Sequence, residues 1–121
     1  MQDNLQSTDE QVYSRPPIAA DVLIVLCTFP DQQIARSISK EIISENLAAC
    51  VNLVSGVESI YRWEGKMVQT SEVLAIFKVA AAGFKNLETA LLEKHPYETP
   101  EIIGIAPDQV YGRYLEWILG S

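Results

Sequence analysis

The chain has 121 residues, 48% of them hydrophobic and 21% charged, which suits one compact domain with its own core. Its 16 acidic side chains against 9 basic ones leave a formal net charge of −7, a surface that repels phosphate backbones and argues against a nucleic-acid partner. Two cysteines, Cys27 and Cys50, are too few and too far apart for a zinc framework or a CxxC redox motif, and no apolar run reaches the length of a membrane span.

The N-terminal stretch "MQDNLQSTDEQVYSRPP" is polar and lacks the apolar segment of a secretion signal. We expect a flexible tail over residues 1–19, a single domain over residues 20–121, and a reducing cytoplasm in which Cys27 and Cys50 stay unpaired. From Val22 to Cys27 the chain is almost unbroken apolar, which reads as a strand buried on both faces. In "PDQQIARSISKEIISENL" Ile34, Ile38 and Ile42 recur every fourth residue and make one helical stripe, with Pro30 and Asp31 suited to the first turn.

Two long strands follow, Ala48–Trp63 and Lys66–Val79, joined by a tight hairpin at "EGK" where Gly65 supplies the permissive backbone. Gly56 marks a bulge inside the first of them. "AGFKNLETALLEKH" is a second helix, with Phe84, Leu87 and Leu91 on one face and Pro96 as its stop. "EIIGIAP" is a fourth strand, and "DQVYGRYLEWIL" a short terminal helix anchored by Tyr114, Leu115, Trp117 and Ile118. The order βαββαβ predicts an α+β, ferredoxin-like fold: an antiparallel sheet with both main helices on one face, a long hairpin and a short C-terminal helix. The third strand carries Val73, Ala75 and Phe77 on one side and Leu74 and Ile76 on the other. A sheet apolar on both faces needs a second cover, which predicts a homo-oligomer.

The chemistry concentrates in "EKHPYETPEII", residues 93–103, which holds the chain's only histidine. His95 reads either as a cap on the last turn of the second helix or as a metal ligand or acid–base group. Cys27, at the end of the first strand, is either core filler or a thiolate near a helix N-terminus, soft enough for Cu(I). Glu98 and Glu101 are either solvated turn residues or a pair that binds a hard cation or shares a proton. Tyr61, Trp63 and Tyr97 line a wall if the hairpin folds over the histidine corner. Lys78, the one charge within an apolar strand, needs a partner, for which Glu98 or Glu101, from the same or a neighbouring subunit, is the expectation. GxxxxGK[ST], GxGxxG and GxSxG patterns are absent from the sequence.

The segments "VLCTFPD", "LAACVNLVSGVESIYRWEGK", "EVLAIFK", "HPYETPEII" and "YLEWI" occur in an order and spacing that resemble the CutA family, the divalent-cation tolerance proteins, over about residues 21–119. The resemblance implies a ferredoxin-like subunit in a tight homotrimer, with hairpin arms pairing between subunits, similar in architecture to the nitrogen-signalling PII trimers. It also implies copper or another divalent cation, with His95 giving nitrogen and Cys27 sulfur, and no organic cofactor; the carboxylate cluster read from the residues would add Glu98 or Glu101 oxygen. Some members carry a second histidine just before this one; here that position is Lys94, a poor ligand.

Three functions are open at this point. The first is a non-enzymatic, cytoplasmic metal-binding trimer in copper or divalent-cation tolerance, without nucleic-acid or membrane partners. The second is a small-ligand sensor or signalling trimer whose clefts are walled by Tyr61, Trp63, Lys78, Tyr97 and Glu98. The third, ranked last, is an enzyme with Cys27 as nucleophile.

Overall fold

A computed structural model describes residues 15–121 of the chain. Residues 1–14 of the expected tail lie outside the described residues. From Arg15 the backbone is tied down: the guanidinium pairs with Asp21 at 2.8 Å, and Asp21 Oδ2 accepts the Ile18 N–H at 2.9 Å. Arg15 first, and the Ile18 N–H next, hold the Asp21 carboxyl at about 2.

The elements are β1 (Val22–Phe29), α1 (Gln32–Ser44), β2 (Cys50–Trp63), β3 (Lys66–Ala80), α2 (Phe84–Lys94), β4 (Ile103–Ile105) and α3 (Gly112–Gly120). The four strands form one antiparallel sheet in the order β2-β3-β1-β4. This is the α+β, ferredoxin-like arrangement expected from the order of elements. Among the described residues no helix is long and apolar enough to cross a membrane.

Asp31 does not enter α1. It precedes it as N-cap, its Oδ1 accepting the Ile34 N–H at 2.8 Å, a bond that satisfies one of the helix's orphan donors. The stripe of Ala35, Ile38 and Ile42 is buried, and Asn46 closes the helix with a left-handed backbone at φ 59°. α1 and α2 press onto one sheet face. Val25, Cys27 and Phe29 of β1 meet Val73, Ala75 and Phe77 of β3 there, together with Leu87 and Leu91 of α2.

Apart from Lys78 and Asn52, the second sheet face is apolar, as the alternation predicted. Ile24, Leu26, Leu74 and Ile76 are only half-buried, and Val54, Ile103 and Ile105 are exposed. α3 covers one end, where Leu115 and Ile118 pack on Val22. Tyr114 and Trp117 are not the anchors expected of them; both are exposed and stack on each other at 5.7 Å. β4 is also shorter than the predicted 101–107, pairing only opposite Ile24–Leu26. Pro100 and Pro107 flank it and bring no backbone N–H to a ladder.

Two glycines shape the long hairpin. Trp63 pairs with Lys66, so the loop is the two residues Glu64 and Gly65, at φ 50° and 80°, a type I′ turn. The bulge falls between Val54 and Val57, with Gly56 at φ 76°. Before it, odd-numbered β2 residues pair with odd-numbered β3 residues, as in Leu53 with Ala75. After it they pair with even-numbered ones, as in Tyr61 with Val68. Opposed residues on antiparallel strands share a face. The bulge therefore puts Val57, Tyr61 and Trp63 on the same side as Glu72, Val68 and Lys66.

Candidate functional site

His95 follows α2, its own N–H bonded to the Leu91 carbonyl, and the extended backbone at this residue turns the chain towards β4. The residue before a proline disfavours the helical conformation, which is why α2 stops here. The imidazole is buried and stacks on Phe29 at 4.7 Å. Nδ1 accepts the Tyr97 N–H at 3.1 Å, so Nε2 carries the proton and donates it to the Thr28 carbonyl at 2.8 Å. Burial lowers the His95 pKa, partly opposed by the Thr28 carbonyl and by Glu72. The ring is neutral near pH 7 and both its nitrogens are engaged.

Tyr97 is the next link. Its ring lies 4.8 Å from the His95 ring, and its hydroxyl donates to Glu72 Oε2 at 2.6 Å. Burial first, then the Glu72 carboxylate, pushes the Tyr97 pKa up. Glu72 is 7% exposed. Against its outer side, Tyr97 shares a cleft of about 360 Å³ with Tyr61, Trp63, Val68, Pro96, Glu98 and Thr99. The aromatic wall expected over the histidine corner is therefore present.

Other expected residues stand elsewhere. Cys27 has no exposure and its pKa is pushed up to about 12, by burial first and by the Glu101 and Glu72 carboxylates next. Glu101 is exposed outside the cleft. Within the chain, Lys78 does not reach Glu98 or Glu101: it donates to Asn52 of the neighbouring strand, on the second sheet face, and is not part of the cleft. Cross-strand register decides this, because Lys78 pairs with Cys50, two residues from Asn52.

The family of CutA1 divalent ion tolerance proteins matches over residues 23–121. The chain belongs to the CutA family. A divalent-cation tolerance protein CutA from Thermus thermophilus is 40% identical over 95 residues, 78% of this chain and 92% of that protein. The crystal structure of CutA from Xylella fastidiosa superposes with a TM-score of 0.80 at 37% identity, covering 83% of this chain and 96% of that one. CutA1 from Oryza sativa gives a TM-score of 0.80 at 36% identity, over 82% and 91% of the two chains.

The CutA name implies a divalent cation, and the donor pair expected here does not fit one as it stands. The Nδ1 lone pair of His95 is taken by the Tyr97 N–H and the other nitrogen carries a hydrogen. The Cys27 thiol is protonated and sealed off. Among the described residues no group of three or more His, Cys, Asp or Glu is able to hold a metal ion. Lys94, just before His95, reaches α1 and its C-cap instead, donating to Glu41 at 2.9 Å and Glu45 at 3.4 Å.

Sequence reasoning missed Glu72. The signal was available: an acid enters the apolar run "EVLAIFK" of β3 one residue before its core stripe begins. Cys50 also has an unforeseen neighbour, the Tyr114 hydroxyl at 3.5 Å.

Proposed function

We propose that this CutA chain is a cytoplasmic homotrimer that binds a small ligand rather than transforming one, with the Tyr61–Trp63–Tyr97–Glu98 cleft as its ligand site. The observation that carries the reading is the double fixation of Tyr97. Its backbone is held by His95 and its hydroxyl by Glu72, which gives the cleft one rigid aromatic wall before any ligand arrives. A binding role also suits a thiol that is buried and protonated, since a nucleophile needs access and a thiolate. The exposed Val54, Ile103 and Ile105 support an assembly that covers the second sheet face. The two free cysteines suit a reducing compartment.

A metabolite screen by thermal shift tests the cleft. We expect a ligand whose effect disappears in Trp63→Ala; a screen without one sinks the reading. Light scattering at micromolar concentration tests the assembly, and a monomeric mass refutes it. Cell fractionation of the native host tests the compartment.

The family description favours a second reading, copper or another divalent cation held by His95, Cys27, Glu98 and Glu101. It requires the His95 imidazole to give up the Tyr97 N–H and Cys27 to gain access. Calorimetric titration of Cu(I), Cu(II) and Zn(II), beside His95→Ala and Cys27→Ser, decides it. Saturable binding lost in both variants establishes the metal site. Weak binding that survives both leaves only the acidic surface.

A further inference from the structure

The chemistry of the same cleft narrows what it accepts, provided the reading of it as a ligand site holds. Its lining brings together the rings of Tyr61, Trp63 and Tyr97 and the Glu98 carboxylate, without a lysine or arginine. A second carboxylate stands behind Tyr97. Among the described residues Glu72 is bonded at its side chain by the Tyr97 hydroxyl, and no lysine or arginine forms an ion pair with it. A buried carboxylate without a cation is unfavourable, and its field reaches into the cleft it backs. Lys66 opposes Trp63 at the hairpin end but is exposed and outside the lining.

Aromatic faces are electron-rich, and a phenol that donates to a carboxylate is richer still. Such faces attract cations, Trp most strongly. A hard divalent ion needs six or more oxygen ligands or retained waters, and one carboxylate with apolar neighbours such as Val68 and Pro96 is a poor substitute. An anionic ligand would meet Glu98 and Glu72 without a partner. We infer that the cleft takes a small organic ammonium ion, its cationic centre against the Tyr61, Trp63 and Tyr97 rings and the Glu98 carboxylate as counter-charge. The apolar surface of an alkylated ammonium matches the walls, and its low hydration keeps the cost of entry small.

The test uses tetramethylammonium chloride and tert-butanol, a probe pair close in shape and different in charge. The chain has two tryptophans, so the full-length protein carrying Trp117→Phe reports on Trp63 by fluorescence, at constant ionic strength. The expected result is a saturable change with tetramethylammonium that tert-butanol matches only about tenfold more weakly or not at all. Calorimetry should show the heat of binding lost in Trp63→Ala, kept in Trp63→Phe, and weakened in Glu98→Gln. Circular dichroism confirms that each variant is folded. Equal binding of the two probes, or full affinity in Glu98→Gln, overturns the inference. A neutral or anionic ligand that depends on Trp63 overturns the cation class and leaves the cleft as the ligand site. No ligand of any charge that depends on Trp63 removes both.

Discussion

The Tyr97 hydroxyl donates a 2.6 Å hydrogen bond to the buried carboxylate of Glu72, joining the loop after α2 to the base of the β2–β3 hairpin. Tyr97 is also bonded through its N–H to His95, which is bonded in turn to β1 at Thr28. One tyrosine thus fixes the loop, the hairpin and the end of β1 relative to one another.

Tyr97→Phe leaves Glu72 buried without this donor. Removing one partner of a buried charge-assisted bond costs about 1–3 kcal/mol. Urea unfolding should show a loss of this size in Tyr97→Phe. In the double variant Tyr97→Phe with Glu72→Leu, the combined loss should be smaller than the sum of the two single losses, because each substitution removes the same bond. Strict additivity would show that the pair is not coupled.

His95 makes stability depend on pH in a window of its own. Its folded pKa lies below the usual 6.5, with burial as the first cause. The unfolded chain therefore binds the proton more readily, and the stability due to His95 is complete above about pH 6.5 and is lost as pH falls below it. It is the chain's only histidine, the one side-chain type whose ordinary pKa falls in this window. Denaturation midpoints between about pH 6.5 and 5 should fall in the wild type and be flatter in His95→Asn, which has no proton to take up. Equal slopes would disprove the assignment.

Cys27 should be inert in the native protein. It has no exposure and its pKa is pushed up to about 12, while Cys50 is partly exposed. Alkylation at pH 8, followed by mass spectrometry, should label Cys50 first and Cys27 only on unfolding. Labelling of Cys27 at a native rate close to that of Cys50 would revive the nucleophile and metal readings of this thiol.

Gly56→Ala isolates the cost of the bulge. A Cβ there meets nothing within 4 Å, yet the backbone sits at φ 76°. The left-handed conformation costs a non-glycine residue about 1–2 kcal/mol, and thermal unfolding should show a loss of that size without any steric clash. A larger loss with altered Trp63 emission would mean that the hairpin has shifted register, because the bulge sets which residues face the cleft.

Periodicity and turn chemistry act over a few residues, and what they govern was legible along the chain. The Ile34–Ile38–Ile42 stripe made α1, Gly65 made the hairpin turn, Gly56 made the bulge, and the alternation in β3 foretold an apolar second face. The CutA motifs were legible for the same reason, as short local strings in a fixed order. The contacts of the site were not. Glu72 and Tyr97 lie 25 positions apart, and they meet because the loop after α2 packs against β3; the bulge, separately, switches odd-numbered β2 residues from one set of β3 partners to the other. Lys78 shows the same limit: its partner is Asn52, across a strand pair, and not the acids nearest in the signature segment. The state of His95 is decided by Thr28 and Tyr97 together, one far in sequence and one near. Residue types supplied the groups, while strand register and loop packing decided which of them hold a proton, which are sealed, and which face the cleft.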